Sequence, residues 1–513
     1  MNLMDKGISY FNPEKALKRT KARAQISMLD RNFNNNDQGY GRSGASRVKN
    51  ALKAFFTKKG GPDKDIVENL ELLRQRSRSL YMGVPIAAGI LKKYRTSVVG
   101  QGLVPKPNLN SENLGISEEE ARKIEKQLKR EFNAWAKSQN ADAMRMHNFY
   151  VLQGLVMLSW VMNGDVFVIP KLKARKGVKN KLCVQVIEAD RIKNPLGSLD
   201  EAIKEGVEID EDGEIAAYHI ANKHPGDATV TETVRVEAYN KFGRRNILHI
   251  FEPERPDQRR GVPLLAPVIE SLKQIGRYSE AELMAAVVSG MFTVFIEQGV
   301  EDEEIDPGQY GMDEEERAFR EESEKIELGN GAINILKPGE KVNSANPGRP
   351  NANYKLFVDS IYEEIGSGIE MPKEVMLNHF TSSYTAARAS LEEAWRRFLS
   401  VREILVNYFC QPIYEEFILG QVAKGKLKLP GYFDDEIMRK EYSRATWVGP
   451  NKISIDPFKE MRASEIALDL NITNREIISQ EKGYDFDEVI TQKLREDKYI
   501  RENTPEGGTG EEE

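Results

Sequence analysis

The chain has 513 residues, enough for about three domains at roughly 150 residues each, with 40% hydrophobic and 30% charged residues. Mean hydropathy is -0.54, and no window holds the 18 apolar residues a membrane span needs. The formal net charge of -6 argues against a protein that grips nucleic acid over its whole surface.

The first 60 residues are basic (Lys15, Lys18, Arg19, Lys21, Arg23, Arg42, Arg47, Lys49, Lys53, Lys58, Lys59), with no apolar core of a secretory signal. Asn32 to Gly44 is rich in Asn and Gly, the composition of an arm without a core of its own. Ile66, Leu70, Leu73 and Leu80 recur at helical spacing and predict a helix from Asp65 to Tyr81. Pro85 opens a second helix that Gly100 and Gly102 close. A third runs from Ser117 to Ala136 behind a Ser117–Glu120 capping box, and a fourth from Phe149 to Met162.

From Asp165 the period shortens to that of strands. The runs 166–169, 182–187, 215–220, 234–239 and 247–251 are β-rich, and Asp212-Gly213 marks a hairpin. They predict a mostly antiparallel sheet flanked by helices, an α+β class. Helix returns from Leu264 to Val288, and Leu283–Ile296 reads as a buried helix or strand. An acidic segment (301–327), a strand-like run (332–336) and a loop (343–353) follow. A helix from Tyr354 to Ile369 carries Phe357, Ile361, Ile365 and Ile369 at i+4 spacing. The longest helix spans Thr385 to Cys410 on one apolar stripe, with Pro412 as its stop. A β-compatible stretch (447–455), short helices (457–500) and a polar tail (504–513) complete the chain.

Motifs of catalysis fail on context. Gly39 to Gly44 fits G-x-G-x-x-G but follows Asn-rich coil rather than a strand. Gly420 to Lys426 approaches a phosphate loop, yet Leu427 stands where a magnesium-binding hydroxyl belongs and a helix precedes it. The histidines lack metal-ligand spacing; His224 and His249, near Asp227, Glu252 and Glu254, could form a metal or hydrolase site, but read first as structural strand-end and turn residues. Cys183 and Cys410 lie in apolar runs and read as buried free thiols. No metal, cofactor or catalytic residue is therefore expected. Arg255, Arg259 and Arg260 crowd one turn that could meet phosphates or a neighbouring subunit's carboxylates, or simply be solvated.

Six blocks, in order, resemble the lambda-like portal family of tailed bacteriophages: 73–107 with its R-x-R-S-R, 149–168, 187–195, 249–269 with its Arg-rich turn before Gly-Val-Pro, 382–398 and 447–463. The resemblance covers roughly 65–495 and departs at two places. Pro372 follows Gly368 after three residues rather than one, and the approach to the long helix reads His-Phe-Thr-Ser-Ser-Tyr (379–384).

The resemblance implies a portal fold: basic arm 1–64, wing 65–261, stem helices 262–298 and 353–373, clip 299–352, tunnel loop 374–385, long helix and wing return 386–456, crown 457–500 and a disordered tail 501–513. It implies a cyclic homo-oligomer of about twelve subunits passing double-stranded DNA without sequence specificity. The partners would be terminase, major capsid or scaffold proteins and head-completion proteins, at the capsid portal vertex after assembly in the host cytoplasm, with no membrane. DNA-facing candidates are Lys355, His379, Phe380, Thr381, Ser382 and Ser383; subunit-interface candidates are Arg255, Arg259, Arg260, Trp395, Arg396 and Arg397. Other readings are a different head or connector ring component, or a DNA-processing enzyme.

Overall fold

The computed structural model describes residues 13–34, 45–46, 49–57, 59–227, 232–291, 295–298, 340–343, 353–380, 383–452, 456–484 and 486–503. The G-x-G-x-x-G match, the acidic segment, the 332–336 run and the polar tail lie outside them. Residues Met1–Gly61 form one unit and Pro62–Glu513 another. The first contains helix α1 (Pro13–Asn34).

In the second unit a π-type turn at Asp63–Val67 leads into α2 (Glu68–Gly83). Pro85 opens α3 (Pro85–Val98), as its fixed φ favours at a first helical position. The chain then forms β1 (Val104–Pro107), a strand with two prolines that periodicity does not reveal. It is tolerated because β1 pairs on one edge only, with β11 (Ala445–Val448), so a missing donor costs no central ladder bond. The Ser117–Glu120 capping box starts α4 (Glu118–Ala136), and Asn148 caps α5 (Phe149–Asn163).

The strands are antiparallel as expected, but they divide into two sheets. One has the order β3 (Leu182–Ile187), β2 (Asp165–Leu172), β8 (Leu248–Phe251); the other runs β4 (Ile203–Lys204), β5 (Val207–Ile209), β6 (Ile215–Ala221), β7 (Thr233–Glu237). Gly213, at φ 87, turns the β5–β6 hairpin. The class is α+β.

After the sheets come α6 (Ile269–Met291) and β9 (Phe295–Gln298), which pairs antiparallel with β10 (Glu340–Asn343). Residues 295–298, expected at the end of a stem helix, are thus strand; Phe295 and Ile296 suit a pleated ladder. Leu283 and Met284, expected to be buried, are 65% and 59% exposed, and among the described residues no element covers that side of α6. Next are α7 (Tyr354–Gly368) and the short α8 (Lys373–Leu377), which occupies the first third of the expected tunnel loop because Val375 and Met376 are buried.

The long helix does not stop at Pro412. α9 (Tyr384–Leu405) passes through a π turn (Val406–Cys410) into α10 (Gln411–Val422). The widened turn lets the run absorb a residue that cannot donate a backbone hydrogen bond. The phosphate-loop-like residues at 420–426 are the end of α10, where Gly425 adopts φ 67. Beyond lie α11 (Glu436–Tyr442), β11, and the helices α12 (Pro457–Asp469), α13 (Arg475–Glu481) and α14 (Phe486–Asn503).

The main core collects the buried faces of α3, α4, α5, α9 and α10. Phe132 sits at its centre, edge-on to Phe149, Tyr414 and Phe417 at centroid distances of 5.8, 5.0 and 5.2 Å. Arg402, in α9, donates to the carbonyls of Ser97 and Val98 at the end of α3 and to Pro450, and lies over the Trp395 ring. A cation there satisfies carbonyls the helix leaves open and complements its dipole. Cys183 and Cys410 are buried free thiols.

Candidate functional site

Asp165 opens β2 and is wholly buried. Its Oδ2 accepts from Arg260 Nε at 2.6 Å and from the Gly261 amide at 3.1 Å, and its Oδ1 accepts from Arg74 Nη2 at 2.9 Å. His249, on the neighbouring strand, points Nε2 at Oδ2 from 3.4 Å and stacks on Phe167 at 4.2 Å. Burial alone would raise the Asp165 pKa. The guanidiniums of Arg260 and Arg74 and the hydrogen bonds from His249 and Arg260 outweigh it, holding the carboxyl well below the usual carboxylate range. Burial, with Arg260 beside it, brings Arg74 down to about 10. Burial likewise lowers the His249 pKa, against the pull of Asp165.

Arg260 spends its remaining donors on the carbonyls of Ala189, Ile192 and Glu205. Two glycines let the backbone segments beside it approach closely. A Cβ on Gly164, which sits at φ 93, would lie 2.5 Å from the Gly261 carbonyl oxygen, and one on Gly261 would lie 2.0 Å from that of Gly164. Arg78, one turn beyond Arg74, donates to Asn163 Oδ1 at 2.7 Å and pairs with Asp190. Residues from α2, the end of α5, β2, the turn after β3 and the turn after β8 are thereby joined at a single charged node.

The six subunit-interface candidates fare differently. Arg260 has no exposed surface, so it cannot reach a neighbouring subunit: Asp165 and three backbone carbonyls draw it inside. Arg397 is nearly covered as well, gripping Glu252 bidentately at 2.6 and 2.7 Å. Arg259 pairs with Asp63 and donates to the Ala202 carbonyl; Arg255 pairs with Asp65. Trp395 is half-buried beside Phe398, whereas Arg396 is exposed next to Glu393. His224 and His249 do not share a site: His224 meets Glu188 at 3.3 Å.

Among the DNA-facing candidates, His379 and Phe380 are exposed, Ser383 caps α9 through the Ala386 amide, and Thr381 and Ser382 lie outside the described residues. The stretch is anchored by Lys93, which donates to the Val375 carbonyl at 2.7 Å and to Asn378 Oδ1. Glu370 (φ 54) and Asn378 (φ 53) turn the chain at either end of α8 through the left-handed region, uncommon outside glycine. Lys355 is not near them. It occupies the first turn of α7, about 20 Å along that helix from the turn into α8.

α6 and α7 run antiparallel. A Cβ on Gly368 would touch Val268, just before α6, while further along Tyr278 stacks on Tyr354 at 5.5 Å and meets Phe357 at 5.1 Å. Among the described residues, Leu283, Met284 and Val287 on α6 and Leu356 on α7 are exposed.

A family model described as phage portal protein, lambda family, matches residues 49–402. The chain belongs to that family. Portal protein B of Escherichia phage lambda is 21% identical over 473 residues, 88% of each chain. The portal protein of Escherichia phage N15 is 22% identical over 458 residues, 85% of each. Among solved structures, a chain from the neck of the empty gene transfer agent particle, with C6 symmetry, matches with a TM-score of 0.44 at 12% identity, covering 80% of this chain and 93% of that one.

Membership in the lambda portal family gives the charged node its meaning in the sequence. Four of the blocks that carry the resemblance supply it: Arg74 and Arg78 from R-x-R-S-R, Gly164 and Asp165 from 149–168, Asp190 from 187–195, Arg260 and Gly261 from 249–269. Asp165 and Arg74 were not among the sequence candidates, and Arg260 was one only as a subunit-interface residue. The available signal was a single carboxylate in the apolar run before Val166-Phe167-Val168, since an ionised group in such a run must be paired.

Proposed function

We propose that about twelve copies of this portal-family chain close into a ring. The ring is a conduit for double-stranded DNA at one capsid vertex, without sequence specificity and without catalysis of its own. The observation that supports the ring is an apolar face of α6 that none of the described residues covers. Leu283, Met284 and Val287 share one helical face of α6. Scattered exposed apolar residues are ordinary, but a contiguous set on a rigid helix marks a contact surface. A head-to-tail contact repeated by a closing rotation gives a ring.

In this reading α6 and α7 are the stem, the preceding sheets and helices the wing, α12–α14 the crown, and the tunnel loop, in which Asn378, His379, Phe380 and Ser383 are exposed, faces DNA. Residues 299–352 would dock terminase and then head-completion proteins, and the wing would meet capsid or scaffold. Assembly in the host cytoplasm would precede residence in the virion. The net charge of -6 per chain favours sliding over gripping, because an acidic wall repels phosphate.

The test replaces Leu283 and Val287 with Glu in the full chain and compares sedimentation with the parent. The parent is expected to sediment as a large closed oligomer. The L283E/V287E variant is expected to sediment as smaller species with unchanged helical circular dichroism. Assembly of the variant identical to the parent would remove the stem face as the ring contact.

A further inference from the structure

The charge of the chain is divided in a way that an acidic conduit does not explain. Residues 1–61 contain thirteen Lys and Arg against four Asp and Glu, a formal +9, which leaves -15 on residues 62–513. The cations are not spread at random over the first unit. In α1, Lys15, Lys18, Arg19 and Arg23 stand at i, i+3, i+4 and i+8, one stripe of a helix, and Ala22 at i+7 keeps that stripe narrow. All four side chains are exposed, and Lys21 adds a fifth cation on the same two turns.

We infer that the α1 stripe is a binding site for the phosphate backbone of duplex DNA, blind to sequence. Two observations favour a polyanion over a protein surface. Protein interfaces are built around a buried apolar or aromatic centre, whereas the stretch from Lys15 to Arg23 has a single large apolar residue, Leu17. Phosphate binding needs only cations at a spacing a charged rod can meet. Duplex DNA offers one charge per about 1.7 Å of axis, and α1, at 22 residues, is about 33 Å long. The stripe lacks the Asn and Gln side chains that read adenine edges. The site goes beyond the conduit reading: the body lets DNA pass, and the arm holds it. It needs no ring to be observed.

The test uses the full chain and two fluorescein-labelled duplexes of unrelated sequence, about 30 base pairs each, with anisotropy read between 50 and 200 mM NaCl. Both duplexes should bind equally. Four phosphate contacts give a log–log salt slope of about -3.6, a loss of affinity of about a hundredfold over that range. The variant K15Q/K18Q/R19Q/R23Q should bind at least tenfold more weakly at 50 mM, with a slope shallower by about 3.6. R122Q/R130Q, which removes two exposed cations from α4, should match the parent. Sedimentation of the same samples separates this from assembly. If the fourfold variant binds DNA as the parent does, the inference falls. It falls also if the parent binds neither duplex at 50 mM, or if the substitutions change only the oligomeric state, which would make the stripe a protein contact. Failure to form rings would sink the conduit reading and leave the DNA measurement intact.

Discussion

Asp165 illustrates how a charged residue becomes part of a core. Its carboxylate is wholly buried and pairs with two guanidiniums, and the Gly164–Gly261 approach lets a backbone amide reach it as well. Replacing a buried pair by apolar residues can be neutral, but removing one partner strands the other charge, at a cost of about 3–5 kcal/mol. Asp165→Asn should therefore lower stability by about that much in urea titrations at fixed protein concentration, while an exposed change such as Arg396→Gln stays within about 0.5 kcal/mol.

The pH dependence follows from the same node. Both pKa values are depressed in the fold, so in each case the unfolded chain takes up protons that the folded one refuses, and stability falls as pH falls. His249 acts first, below its unfolded value of about 6.5. The contribution of Asp165 is full above about pH 4 and is lost as pH drops toward its lower folded value. Urea midpoints between pH 8 and 3 should decline in those two steps, and Asp165→Asn should flatten the lower one. An unchanged profile in that variant would show that the carboxylate is not what acid titrates. The node was hidden in the sequence because its members lie up to 186 positions apart, from Arg74 to Arg260. Only the apolar neighbours of Asp165 hinted at it. The same distance misdirected the reading of Arg260, whose neighbours in sequence are polar and whose neighbours in space are carbonyls.

At the scale of elements, periodicity and capping were informative wherever one face of a helix meets the core. The Ser117–Glu120 box, the Pro85 start and the i+4 run on α7 are all realised. Three features were not legible. β1 needs its partner β11, some 340 residues later, before two prolines make sense as an edge strand. The α9–α10 run continues through Pro412 because tertiary packing of Phe409, Ile413 and Phe417 holds both sides of the π turn. The apolar run in α6 suggested burial, yet hydrophobicity cannot distinguish a core from a contact surface. The core itself gives a direct test. Phe132 touches aromatic rings from α5 and α10, so Phe132→Ala should cost about 3–5 kcal/mol and loosen the packing of both helices. Near-ultraviolet circular dichroism would register that loss; a cost under about 1 kcal/mol would mean that the ring cluster is not the centre of the core.

For the whole molecule, family membership, an apolar α6 face that none of the described residues covers, and a basic first unit on an otherwise acidic chain point the same way. Apart from β10 (Glu340–Asn343), the segment 299–352 proposed as clip lies outside the described residues, as do Thr381 and Ser382, so the candidate site was legible mainly through colinear motifs rather than through geometry. The partners remain part of the proposal. The most direct measurement is electron microscopy of the purified full chain in end-on view. The account requires closed rings of about twelve subunits around a channel wide enough for a B-form duplex. Discrete dimers enclosing a cleft, with no axial channel, would contradict it.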